Sequence, residues 1–393
     1  MQQNIWFTPD GLEDLLPGEA RKLEYYRRQL LDGFELSGYD LVLPPIAEFT
    51  DSLLTGKGRH LAVDTCRFTD QESGKMMGVR ADMTPQVARI AVNRIQQAGI
   101  QRLCYVGEVL KTRNNRAKGS RSPIEVGAEL FGHSGVESDI EVIELMIRSL
   151  HALGLMDLTL SIGHVSIVDS LMTAAELTQA QQNTLVDILL RKAVPEYNDF
   201  VGTLSLSEPL KAAFHSLLNL CGEAEDVMAA TQELSDATPD MASHLSHLDA
   251  IVRYFKAFEH LNLHIDLADI RGYQYHTGII FSGYAAGRKM YQLARGGRYD
   301  GVALAFGVDK PATGFSLDLR GALDLLVQPP SSQKPLVYAP NVLDATLLAE
   351  VERLKSQDTI VKRFYDLAEL PDGVSYFAQD AGQWQLSVKT GQP

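Results

Sequence analysis

Cysteine is scarce in this chain, with three in 393 residues. Cys66, Cys104 and Cys221 are widely spaced and form no CxxC pair. Zinc sites and disulfide frameworks need closer or even-numbered sets, so neither organises this chain and the three are expected to be buried, reduced thiols. Basic charge is also short: 36 Lys and Arg against 50 Asp and Glu give a net charge of -14. Non-specific nucleic-acid binding rests on surplus Lys and Arg, although a local basic groove is compatible with this balance. No uninterrupted apolar run reaches membrane-spanning length. The first residues, MQQNIWFTPDGLEDLLPGE, hold neither a basic n-region nor an apolar h-region, and a cytoplasmic location is expected. No GxGxxG or Walker loop opens a βα unit, and no internal repeat or low-complexity tract is present.

What remains is a long, ordinary globular composition, enough for two or three domains. Gly18 to Leu36 predicts an amphipathic helix with Leu23, Tyr26, Leu30, Leu31 and Phe34 on one stripe, stopped by Gly38. Tyr39 to Ile46 predicts a strand whose Pro44 and Pro45 confine it to an edge or interface. Thr65–Thr69 and Met76–Val79 predict a hairpin around SGK, and Thr84–Gln97 a helix with Pro85 in its first turn. Arg102–Leu110 and Ile124–Phe131 are apolar strands joined by a basic loop, and Val136–Leu153 is a further helix. After a strand at Leu158–Ile162 the strand signals vanish until about Leu261, and Leu and Ala recur at helical spacing. Strands return at Ile265–Arg271, Thr277–Ser282 and Met290–Ala294, and Gly314–Leu326 passes from strand to helix. Beyond the linker-like VQPPSSQKP the pattern is β-α-β with WQLSVK as a last strand. The order of elements implies an α+β fold with three regions: a discontinuous core at 1–164 and 262–328, a helical insertion at 165–261, and a small C-terminal α/β unit at 334–393.

Several clusters carry chemistry, each with a structural alternative. Asp82 and Thr84 in VRADMTPQVAR precede a helix; they suit a cap on free backbone N–H groups or a grip on a ligand's ammonium. Glu125 and Glu129 in IEVGAELFG share a strand face. That face is either solvated or, if buried, in need of a cation. Arg271, Tyr273, Tyr275 and His276 lie together in IRGYQYHTG and suit a planar ligand, or ordinary packing. Gly296-Gly297 suits a phosphate cradle or a plain turn. The loop with Lys111, Arg113, Arg116, Lys118 and Arg121 has no interleaved aromatic residue; it suits a solvated hairpin tip, a phosphate or an acidic partner surface.

In this order the pieces resemble a histidyl-tRNA synthetase over about residues 5 to 326. YDLVLPPIAEFTD resembles the class II first motif, with its proline at Pro45 and a role in dimerisation. VRADMTPQVAR resembles the segment that grips the amino group of histidine. YVGEVLKTRNN and SPIEVGAELFG resemble the second motif and its following strand, and IRGYQYHTGIIF a histidine-specific signature. LARGGRYDG and ATGFSLDLRGAL resemble the approach to the third motif. The resemblance implies an antiparallel class II sheet flanked by helices and a histidine pocket of Asp82, Thr84, Glu125, Glu129, Arg271, Tyr275, His276 and Tyr299. Gln274, Glu125 and His276 depart from that signature, standing where it has an acid, an amide and a tyrosine.

The larger departures concern ATP. The second motif's arginine falls on Lys111, its glutamate on Arg113, and the third motif's arginine on Gly321. Arg320 is adjacent, but neighbouring helical positions point ~100° apart. Losing one arginine fork on a developing phosphate charge costs about 3 kcal/mol, so no useful activation is expected. A synthetase body without its ATP clamps resembles the ATP phosphoribosyltransferase regulatory subunit family. That resemblance implies a non-catalytic subunit that dimerises, activates the short-form catalytic subunit in the first step of histidine biosynthesis, and mediates feedback inhibition by histidine. It implies no cofactor, no metal and no tRNA. The alternatives are an active histidyl-tRNA synthetase and a related carboxylate-activating ligase.

Overall fold

A computed structural model describes residues 8–95, 98–113, 119–273, 275–285, 290–329 and 334–390. These residues form two compact units, 1–327 and 328–393. The first carries the strands β1 (Asp40–Leu41), β2 (Ala47–Phe49), β3 (Arg67–Thr69), β4 (Met76–Val79), β5 (Gln101–Glu108), β6 (Ile124–Phe131), β7 (Leu158–His164), β8 (Cys221–Glu223), β9 (Leu261–Asp266), β10 (Ile279–Ala285), β11 (Tyr291–Arg298) and β12 (Ala312–Asp318). Nine of them make one sheet in the order β1-β5-β6-β12-β11-β10-β7-β9-β8. All its pairings are antiparallel except β1 with β5 and β7 with β9. β2, β4 and β3 make a small second sheet.

The helix Pro17–Leu36 begins on a proline, whose missing N–H costs nothing in a first turn. It buries Leu23, Tyr26, Leu30 and Phe34 in the apolar cluster that also takes the helix Val136–Ala152 and one face of the sheet. Gly38 then turns the chain at φ +80°, where a side chain would be strained. The strand expected over Tyr39–Ile46 is confined to β1. Pro44 and Pro45 offer only carbonyls, which accept from Arg80 Nη1 at 2.8 Å and Gln86 Nε2 at 2.8 Å. The side chains of Leu41, Leu43 and Ile46 stay exposed.

The stretch between β7 and β9 is helical, as the sequence suggests, over Val165–Ala174, Gln179–Arg191, Val194–Gly202, Glu208–Leu217, Ala224–Ala230 and Met241–Phe255. It is not purely so, because β8 adds to the sheet edge on β9. The strand expected at Ile265–Arg271 lies earlier, at β9. Asp269 Oδ1 accepts the Arg271 backbone N–H at 3.0 Å and folds that segment into a turn. Gly296 and Gly297 form neither a turn nor a cradle; they sit inside β11, where a Cβ on Gly297 would meet the Ile279 carbonyl oxygen at 2.6 Å. Of the thiols, Cys104 is buried, Cys66 half-buried and Cys221 exposed, so burial holds for one only.

The second unit is β13 (Leu336–Pro340), a helix at Ala345–Ser356, β14 (Ile360–Phe364), β15 (Ser375–Asp380) and β16 (Gln383–Val388), in the order β14-β13-β15-β16. Asp344 caps the helix through the N–H groups of Thr346 and Leu347. β15 was not expected from the sequence. Of the linker-like segment, Pro330 to Gln333 lie outside the described residues.

Candidate functional site

β6 builds the floor of the site. Ile124, Val126, Ala128 and Leu130 point into the main apolar cluster, so the two-residue period turns Glu125, Gly127 and Glu129 to the other face. That face is not solvated: Glu125 is 4% exposed and Glu129 1%. Register places Tyr105 of β5 opposite Gly127, and Gly314 and Asp318 of β12 opposite Glu129 and Glu125. The two glycines are obligatory here. A Cβ on Gly127 would lie 2.5 Å from the Tyr105 hydroxyl, and one on Gly314 would overlap the Glu129 carboxylate.

Three hydroxyls converge on Glu129. Thr84 Oγ1 donates to Oε1 at 2.8 Å, Tyr105 Oη to Oε1 at 3.2 Å, and Tyr299 Oη to Oε2. Burial, seconded by the charges of Asp82 and Glu125, still holds the carboxyl well above the usual range, although the hydroxyls of Thr84 and Tyr105 pull it down. Asp82 Oδ1 accepts the Thr84 backbone N–H at 2.8 Å, so Asp82 serves the helix start at Thr84–Asn93 as well as the cluster, and the Thr84 hydroxyl is spent on Glu129. Among the described ion pairs, Glu125 is reached by Lys111 Nζ at 3.7 Å. Its Oε2 accepts no hydrogen bond among the described residues. Burial foremost, then Asp82, pushes the Glu125 carboxyl up to about 8, against the pull of Lys111 and Arg295.

Aromatic rings wall the cluster. Tyr275 and Tyr299 stack at 5.1 Å between centroids, Tyr275 meets His276 edge-on at 5.3 Å, and His276 lies 6.4 Å from Tyr299. The fold thus gathers Asp82, Thr84, Glu125, Glu129, Tyr275, His276 and Tyr299. Arg271 pairs instead with other groups: its half-exposed guanidinium donates to both Asp269 oxygens, at 2.9 and 3.0 Å through Nε, and to Tyr284 Oη at 3.2 Å. Gln274 lies outside the described residues.

Two contributors escaped the sequence reading. Tyr105 fills the space over Gly127, and a glycine between two same-face glutamates is the signal that a neighbour must fill a hole. Arg298 is 4% exposed and anchors the end of β11 beside Tyr299. It donates to Asp139 Oδ2 at 3.1 Å, Ser138 Oγ at 2.8 Å and the carbonyls of His133 and Gly135.

The positions that would clamp ATP look different. Arg113 pairs with Asp64 at 3.6 Å. Arg121 donates to the Lys111 carbonyl at 3.0 Å. Arg320 donates to Ser122 Oγ at 3.2 Å and to the Glu13 carbonyl. Gly321 gives its N–H to Asp318 Oδ1 at 2.9 Å. Arg116 and Lys118 lie outside the described residues. Two surface cavities, about 370 and 320 Å³, flank Tyr39, but the charges of the first pair with one another, as Arg102 with Glu141 and Arg148 with Glu144. The buried carboxyls of the cluster, with Lys111 as the one cation paired to them among the described ion pairs, make it the better ligand site. Among the described residues, no group of His, Cys, Asp or Glu could hold a metal ion, and no helix is long and apolar enough to cross a membrane.

Residues 11–322 match the histidyl-tRNA synthetase family. The chain is 72% identical to the ATP phosphoribosyltransferase regulatory subunit of Hydrogenovibrio crunogenus, over 99% of this chain and 100% of that one. It belongs to the ATP phosphoribosyltransferase regulatory subunit family. A second member, from Thioalkalivibrio sulfidiphilus, is 42% identical over 90% of each chain. A solved ATP phosphoribosyltransferase regulatory subunit/histidyl-tRNA synthetase from Bacillus halodurans superposes with a TM-score of 0.80 at 25% identity, covering 95% of this chain and 96% of that one. Histidyl-tRNA synthetase from Nostoc shares the fold at a TM-score of 0.73 and 18% identity, over 93% of this chain and 87% of that one. The α+β fold of this regulatory-subunit family is therefore the class II synthetase-like one that the motif order implied.

Proposed function

We propose that the chain is a non-catalytic regulatory subunit that joins a short-form ATP phosphoribosyltransferase catalytic subunit in the cytoplasm, activates it and carries inhibition by histidine in the first step of histidine biosynthesis. One contrast carries the reading. Thr84, Glu125, Glu129 and Tyr299 are buried together beside the half-buried Asp82, Tyr275 and His276, while the described cations nearest the ATP positions pair with protein groups. Feedback needs histidine to favour one state of the complex, with a coupling of typically ~1–3 kcal/mol that acts reciprocally on substrate affinity. The exposed Leu41, Leu43 and Ile46 of the first-motif segment suit self-association as a dimer. The core, helical insertion and C-terminal unit at 1–164 with 262–328, 165–261 and 334–393 are proposed as the working domains.

The test is a reconstitution. Adding the purified chain to a short catalytic subunit should raise phosphoribosyl transfer severalfold, and histidine should then suppress it. No effect on rate and no co-purification of the two would overturn the proposal. The Bacillus halodurans structure bears both names, which keeps a working synthetase as the second reading; it predicts histidine-dependent exchange of pyrophosphate into ATP.

A further inference from the structure

The charge balance around Glu125 is uneven. Its carboxyl is faced by Glu129 from its own strand, Asp82 from the helix start and Asp318 from β12. Against these stand Lys111 after β5, Arg295 on β11 and Arg80 after β4. Arg80 is spent, donating to the carbonyls of Glu108 and Pro44 at 2.8 Å each. Among the described ion pairs only Lys111 reaches any of the four carboxyls, at 3.7 Å. Glu125 itself is buried, with Oε2 accepting no hydrogen bond. A buried carboxyl so placed is cheapest when it carries its own proton, and a cation brought against it reverses that preference.

We infer that an amine ligand enters this site in exchange for the Glu125 proton, so that Glu125 reads the ligand's ammonium and affinity rises with pH. This rests on the cluster being an amino-acid site. The sign follows from the raised carboxyl. In the empty site Glu125 is neutral below about pH 8; the ligand's ammonium favours the carboxylate, so one O–H bond of Glu125 breaks and its proton leaves to buffer. Affinity then climbs by up to about tenfold per pH unit and levels once Glu125 is already ionised. Lys111 tempers the effect, because its ammonium already favours the charged form.

Calorimetry of the full chain tests this, with histidine and with imidazolepropionate, which keeps ring and carboxylate but has no amine. At pH 7 the histidine heat should differ between phosphate and Tris buffers by the ionisation of close to one proton, and the difference should shrink towards half of that at pH 8, where Glu125 is half ionised before the ligand arrives. Imidazolepropionate should bind at least tenfold more weakly, or not at all, and without proton release. Lys111→Met should raise the release at pH 8 from about half a proton towards one, while Glu125→Gln should abolish it. Equal histidine heats in both buffers, release retained in Glu125→Gln, or imidazolepropionate binding as tightly as histidine would overturn the inference alone. No histidine binding by the unchanged chain would overturn the amino-acid site and this inference together.

Discussion

Glu129 on β6 and Lys111 in the loop after β5 belong to two neighbouring regions of opposite character. Around Glu129 three hydroxyls from three separate segments converge on one carboxylate, and glycines at 127 and 314 clear the room for it. Around Lys111 the described basic side chains pair with protein groups: Glu125, Asp64, backbone carbonyls and Ser122. On the proposed function, the fold keeps the half of an active site that recognises and lacks the half that reacts. Recognition here is built from strand register, which the core enforces. Phosphate clamping depends on a few arginine forks at loop and helix ends, which can be lost without disturbing packing.

The contrast breaks most readily at its acidic end. Glu129→Ala strands three hydroxyls by removing the carboxyl they share, and Asp82→Ala removes its neighbour. Each should weaken histidine binding by calorimetry about 10- to 100-fold; unchanged affinity in both would remove the pocket from the account. Gly314→Ala should be nearly as severe. Its methyl overlaps the Glu129 carboxylate, and overpacking of this kind costs about 1–3 kcal/mol, read as a lower melting temperature together with lost histidine binding.

Protonation sharpens the comparison further. The Glu125 carboxyl is raised in the folded chain, so the native state holds a proton that the unfolded chain has already given up above pH 4.5. Stability therefore falls as pH rises from about 4.5 towards 8. Glu125→Gln should match the unchanged chain near pH 4 and melt on the order of 3 °C higher at pH 8. A gain independent of pH would mean that burial of charge is not the cause. The mildest effect is expected at the dismantled end. A Cβ at Gly321 would sit 2.5 Å from Asp318 Oδ2, so Gly321→Ala should loosen that helix cap, costing about 1 kcal/mol and leaving histidine binding unchanged.

Much of this contrast is legible in the residues. The alternation in IEVGAELFG places both glutamates on one face, and the order of motifs gives the class II fold. Burial of that face is not legible, because it comes from β5 and β12 pairing on both sides of β6. Tyr105 and Arg298 are invisible for the same reason: each acts across strands, through partners distant in sequence. The pairing of Arg271 with Asp269, two residues away, is likewise set by a local turn that the motif order does not reveal. β15 is overlooked since SYFAQD is short and ends in polar residues, and only its pairing with β13 and β16 makes it a strand.

The most direct test of a retained amino-acid site without nucleotide chemistry is histidine-dependent exchange of labelled pyrophosphate into ATP by the purified chain. Exchange at the level of a no-protein control is the predicted result. Appreciable exchange that requires histidine would contradict it, since the chain would then form an adenylate without the clamps it is held to have lost.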